Sequence, residues 1–224
     1  MKTTRIFLLT TVGTSIAFAL ACGGPKQIEK DDTAEEADTD TDTDTDTDNS
    51  EEQAAVEQQL QGSWQSGCQS AEDASACFVY ALTVSSNVGE YSKTLYTDSS
   101  CSEAVYRYQS SFTAEVESPA SFGDNTWEWL HTLTAVQLTP LSQDAAADFE
   151  LSCPDYEWTA DNTEDISEVG CGDDFPSLSL CSARHDAVQF SDENSLFTGK
   201  DDMLSMCAPD GRPAELNAWS YSKQ

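Results

Sequence analysis

The chain is short of base. Ten Lys and Arg face 41 Asp and Glu over 224 residues, a formal net charge of −31. No basic patch can be drawn from so few cations, which argues against nucleic acid and anionic lipid surfaces as partners. Histidine is scarcer still. The only two, His131 and His185, are not at metal-ligand spacing from a cysteine or from each other. No cysteine pair shows C-x₂-C spacing, so zinc is not expected. G-x-S-x-G, H-E-x-x-H and Gly-rich phosphate loops are all missing, and so are enough lysines and histidines for the common acid–base or Schiff-base constellations. These absences point to a protein that is not an enzyme, with no catalytic residue, no metal and no cofactor. The surplus acid reads as solubility and colloidal repulsion.

A long apolar run occurs once, at residues 6–20, behind Lys2 and Arg5. It has the length and charge layout of a signal peptide and is too short for a comfortable membrane span. Its end, Ala19-Leu20-Ala21-Cys22, resembles a bacterial lipobox. The resemblance implies cleavage before Cys22, a diacylglycerol on its thiol and acylation of the new amino terminus. Acyl chains gain about 0.8 kcal/mol per buried CH₂, so several together anchor permanently. Gly23 follows, rather than the Asp that marks inner-membrane retention in lipoproteins, and this implies a lipid anchor in the bacterial outer membrane. The alternative is an ordinary signal peptide, residues 1–21, cut after Ala19-Leu20-Ala21 to leave a periplasmic or secreted protein.

Residues 22–52 are nearly free of large apolar side chains, and Asp and Thr alternate unbroken from 38 to 48. Such a segment cannot offset its ordering entropy and reads as a disordered acidic tether. About 30 residues of flexible chain span roughly 30 Å, and more when like charges repel. Asp40, Asp42, Asp44 and Glu51 match positions of a calcium-loop template, but Thr45 stands where the turn needs glycine, so no specific site is expected.

Residues 53–224 make one domain by length, large enough for a real core. Besides Cys22 they hold Cys68, Cys77, Cys101, Cys153, Cys171, Cys181 and Cys207. In an oxidising compartment these read as disulfides with one cysteine left over. Period-two alternation dominates. Residues 77–85 put Phe78, Tyr80, Leu82 and Val84 on one face. Residues 91–97 and 105–116 are of strand type. Residues 127–138 put Trp127, Trp129, His131, Leu133 and Ala135 on one side, with Leu130, Val136 and Leu138 on the other. Further strands are expected near 186–190, 195–199 and 217–222, and helices at 51–60 and 140–150. The pattern is all-β and antiparallel, a barrel or sandwich with two short helices.

Leu60-x-Gly62-x-Trp64 resembles the G-x-W signature that opens lipocalin and related calycin barrels, where the glycine permits a close bend and the tryptophan plugs the closed end. Extended to Ser66-x-Cys68 and followed by Tyr96-x-Asp98-x-x-Cys101, it is similar to the domain of "adenomatosis polyposis coli down-regulated" proteins and to small bacterial lipocalin-like lipoproteins. Arg212-Pro213-x-x-Leu216, with Trp219 and Tyr221, resembles the closing strand of that bacterial group. The resemblance implies a lipocalin-like barrel or half-barrel and a Cys68–Cys101 bridge. Cys153 and Cys171 flank a polar loop and suggest a second staple. Cys181 with Cys207 then leaves Cys77 unpaired, and a local Cys68–Cys77 link is the rival connectivity.

A small barrel can hold one apolar ligand, and the family resemblance implies a lipid or other hydrophobic small molecule. Phe78, Tyr80, Leu82, Trp127, Trp129 and Leu133 are the candidate lining residues. His131 shares the Trp127 and Trp129 face and is expected to be a satisfied strand histidine. The main alternative is a filled core in a monomeric structural or adhesive envelope lipoprotein. A remoter one is a carbohydrate-active enzyme, since Trp127-Glu128-Trp129 has the composition of a sugar platform. Alternation, however, turns Glu128 away from both rings.

Overall fold

Wherever apolar and polar residues alternate, the chain is strand. A computed structural model describes residues 46–70, 76–200, 205–208 and 211–224. Cys22 and the tether acids Asp40, Asp42 and Asp44 lie outside the described residues. In chain order the elements are α1 (Asp46–Leu60), β1 (Gly62–Ser66), β2 (Gln69–Ser70), β3 (Cys77–Ser85), β4 (Val88–Tyr96), β5 (Ala104–Pro119), β6 (Thr126–Pro140) and α2 (Gln143–Ser152). After these come β7 (Glu164–Asp165), β8 (Ala183–Asp192), β9 (Ser195–Thr198), a 3₁₀ turn (Ser205–Cys207) and β10 (Tyr221–Lys223).

Eight strands close into an antiparallel barrel in the order β1-β10-β9-β8-β6-β5-β4-β3, with β3 returning to β1. Closure runs through Trp64, which stands opposite Lys223 on β10 and Leu82 on β3. The sandwich and half-barrel alternatives are therefore excluded. Short β2 continues along β3, and β7 pairs the far half of β6.

Gly62 has φ +121°, a region that L side chains rarely adopt, and there α1 hands over to β1. The Trp64 ring is buried, its Nε1 donates to Leu60 O at 2.8 Å, and the Lys223 ammonium lies 4.9 Å from the ring centroid. Helix α1 starts at Asp46, inside the segment assigned to the tether and before the expected start at 51. It docks through buried Leu60, through Val56 packed against the core, and through amides. Gln53 Nε2 donates to Val116 O at 2.5 Å and Gln59 Nε2 to Asp192 O at 3.1 Å.

One bulge corrects the expected faces of β6. Ser111 pairs Ala135 while its neighbour Phe112 pairs Leu133, so Thr134 is an extra residue. Beyond it the inward set shifts by one. Val136 and Leu138 are buried, and Ala135, expected inside, is only half-buried. Helix α2 starts later than expected because Pro140 still pairs Tyr106 in the sheet and Ser142 Oγ caps Ala145 N–H at 3.1 Å.

Three disulfides form: Cys68–Cys101, Cys153–Cys171 and Cys181–Cys207. Cys77 is free and buried, and the Cys68–Cys77 rival is excluded. Each bridge is worth about 2–4 kcal/mol. The turn before Cys101 is built by Asp98, whose two oxygens accept N–H bonds from Ser100, Ser102 and Glu103. Bonding from Ser100 and Glu103 holds its carboxyl well below the usual carboxylate range. Cys101 itself takes φ +52°. The second bridge sits in the long connection between β6 and β8, which lays Phe149 and Phe175 against Tyr106 and fills that end of the barrel.

Gly89 faces Phe112 across the β4–β5 ladder, and a Cβ there would collide with the buried ring. Gly89→Ala is expected to cost about 1–3 kcal/mol in urea unfolding. Gly67→Ala, which meets only the Gln69 side chain at 3.7 Å, is expected to stay within about 0.5 kcal/mol of the parent. Equal stabilities for the two variants would contradict this packing.

Candidate functional site

Strand alternation turns one set of side chains inward at the waist of the barrel, and these do not fill it. A cavity of about 220 Å³ remains. Tyr80 and Leu82 on β3, Lys93 on β4, Trp129 and His131 on β6, and Arg184 and Asp186 on β8 line it. Thr198 on β9 and Tyr221 on β10 complete the wall, while Met206, Asn217 and Trp219 come from the return segment. Trp219 stacks on Tyr80 with centroids 4.6 Å apart and planes 12° off parallel. Three Asn217 Nδ2 contacts to Thr198 and Gly199 pin the return segment beside it.

Of the six expected lining residues, Tyr80, Leu82 and Trp129 line this cavity. Phe78, Trp127 and Leu133 do not. Trp127 lies one inward step past Trp129, where it faces a separate cleft with Ala55, Val56 and Phe190. Leu133 is buried in the packed core toward the opposite end. Phe78 is half-buried beside the cavity, with Lys93 Nζ 4.1 Å from its ring centroid. Gly62 and Trp64 stand on β1, the strand that pairs both β3 and β10.

The polar wall went largely unread in the sequence. The strand expected near 186–190 begins at Ala183, so Arg184 fell outside it, and Asp186 stood at its first position. The available signal was the pattern Arg184-x-Asp186 leading into an apolar run, two charges sharing one face of a strand. Both are buried. Arg184 Nη2 donates to the Tyr108 hydroxyl, and its guanidinium carbon lies 5.6 Å from that ring centroid. Asp186 Oδ1 accepts from the N–H groups of Ala187 at 2.7 Å and Gly199 at 2.9 Å.

His131 is packed rather than satisfied. Its ring stacks on Phe112 at 4.4 Å and meets the Trp129 edge at 3.9 Å, but its Nε2 has no partner. Trp129 Nε1 and Arg184 Nε are likewise buried without partners. Each such orphan costs about 1–3 kcal/mol, and the three residues that carry them all line one cavity. Glu128 is turned away from the tryptophans as expected and pairs Arg212 at 2.9 Å.

Burial, helped by the Arg184 charge, lowers the His131 imidazole to about 3. Burial pushes the Asp186 carboxyl up to about 7 against its two N–H bonds. Lys93 is lowered by burial, with the Asp174 carboxylate opposing and Arg184 adding to the effect. Tyr80 is raised to about 12 by burial.

Compared with known proteins, the chain matches no family model and no curated sequence.

The two shifted groups act oppositely on stability. The unfolded chain protonates histidine near 6.5 but the fold refuses that proton down to about 3, so His131 makes stability rise with pH across that window. The fold keeps the Asp186 proton up to about 7, whereas the unfolded chain releases it near 3.8, so Asp186 makes stability fall as pH rises from 3.8 to 7. The slopes nearly cancel between about pH 4 and 6.5. Asp186→Asn keeps an acceptor for both N–H groups and removes the second slope. Urea unfolding should show the variant more stable than the parent by roughly 2–4 kcal/mol at pH 8 and equal to it near pH 4. Parallel pH profiles would contradict the buried, protonated carboxyl.

Proposed function

We propose that this is an outer-membrane lipoprotein, anchored through an acylated Cys22, whose lipocalin-like barrel carries a small molecule in its interior. The observation that supports the carrier reading over a filled scaffold is the cavity itself, about 220 Å³ at the waist. A merely packed core approaches close packing and satisfies its polar groups. Here open space and three unpartnered polar atoms coincide. The aromatic side, Tyr80 against Trp219 with Leu82 and Trp129 nearby, suits a hydrophobic or planar body. The volume favours a compact ligand over a long-chain lipid.

The lipid anchor is supported by Ala19-Leu20-Ala21-Cys22 and by the disulfides, which need an oxidising compartment. The G-x-W geometry at Gly62 and Trp64 supports the lipocalin-like reading of the barrel. The test of the carrier is titration with N-phenyl-1-naphthylamine, a neutral probe that brightens in apolar surroundings. Saturable one-to-one binding is expected, weakened about tenfold by Tyr80→Ala or Trp219→Ala. Absence of saturable binding, or binding indifferent to both substitutions, would contradict it. Intact-mass spectrometry of protein taken from the envelope should show an acylated Cys22 at the amino terminus, and an unmodified thiol there would remove the anchor.

A further inference from the structure

The cavity collects charge of the sign the chain lacks. Lys93 enters it from β4 and Arg184 from β8. The two sit near enough that Arg184 contributes to the lowering of Lys93. In a chain with 41 acids, a buried guanidinium would ordinarily be paired. Among the described residues the ion pairs are Lys200–Glu215 and Arg212 with Glu117 and Glu128, and neither Lys93 nor Arg184 forms one. Asp186, the nearest acid by sequence on the same face, spends Oδ1 on two backbone N–H groups instead. Arg184 lines the cavity and is left with a buried Nε that has no partner.

We propose that the barrel interior binds a small organic acid, its carboxylate held by Arg184 and Lys93 and its apolar or aromatic body laid against Tyr80 and Trp219. This rests on the reading that the interior takes a ligand, and it names that ligand's class. A carboxylate supplies what the guanidinium lacks, since charge-assisted bonds to a planar fork are the strong ones. It also adds a direct counter-charge for two buried cations that otherwise have only the Asp174 field at Lys93, aromatic faces and the Tyr108 hydroxyl.

Asp186 would oppose an anion if ionised, but burial keeps it protonated up to about pH 7. With Oδ1 taken by N–H donors, Oδ2 is the oxygen left to carry the proton, so the group can donate. The other titratable groups lining the cavity are Arg184 on β8, His131 on β6, Lys93 on β4, Tyr80 on β3, Tyr91 on β4 and Tyr221 on β10, and Asp174, from the connection between β6 and β8, acts on Lys93. Burial keeps His131 neutral above about pH 3 and raises the three tyrosines. Carboxylate binding therefore weakens as pH rises through about 7.

The test is calorimetric titration of the full chain with phenylalkanoates of increasing length, each paired with its neutral amide, at pH 6 and pH 8.5. The acid is expected to bind at least tenfold more tightly than its amide at pH 6. Lys93→Met, at a half-buried position, should erase most of that preference. Raising the pH to 8.5 should weaken acid binding in the parent but not in Asp186→Asn. Acid and amide binding equally would overturn the proposal while leaving the interior carrier in place. An acid preference unchanged by Lys93→Met would also overturn it, by putting the anion elsewhere. Failure of every acid and amide to bind would overturn the proposal and the carrier reading together.

Discussion

The structure depends on a five-residue strand that is paired on both edges. Residues Gly62–Ser66 bond β3 on one side and β10 on the other, and without them the sheet has two open edges and a wet interior. The local chemistry is suited to that load. Gly62 accepts the left-handed turn out of α1, Trp64 buries its ring between both neighbours, and Gln61 Oε1 takes the Ser86 N–H at 2.6 Å to hold the β3–β4 turn alongside. The Cys68–Cys101 bridge follows directly and ties the end of the closing strand to the turn organised by Asp98.

Closure is what gives the interior its unusual chemistry. Desolvation is the leading cause of the shifts at His131, Asp186 and Lys93, and each would relax in an open sheet. A strongly acidic exterior thus surrounds a small space in which the uncompensated charges are positive and the one carboxyl is held neutral. Such inversion costs stability, and natural folds tolerate it mainly where a site needs it. Outside the barrel the rule is the ordinary one. Arg212 bridges Glu117 and Glu128 and fastens the return segment that carries Trp219 to the cavity.

Much of the architecture was legible in residue patterns. Alternation located β3, β4, β5, β6, β8 and β9, and the motif at Gly62 and Trp64 pointed to a barrel or half-barrel. What escaped had physical reasons. A single extra residue, Thr134, reverses the faces of half a strand, and nothing in the composition of TLTAVQL marks it. Helix α1 holds the barrel by Val56 and Leu60 and by glutamine side chains reaching strand carbonyls, and the amides leave no apolar pattern to read. The site was half visible: its aromatic wall followed from alternation, whereas its charged wall lay on a strand whose start was placed three residues late. The long connection between β6 and β8 fills one end with Phe149 and Phe175, and Leu133, though inward-facing, is packed core rather than lining.

The most direct measurement is a high-resolution crystal structure of the protein purified from its own envelope without added ligand. The account predicts continuous density in the waist cavity for a bound molecule, with acceptor atoms within hydrogen-bond distance of Arg184 Nε and Lys93 Nζ. A cavity holding ordered water alone, or side chains collapsed across it with Arg184 paired to Asp186, would contradict it.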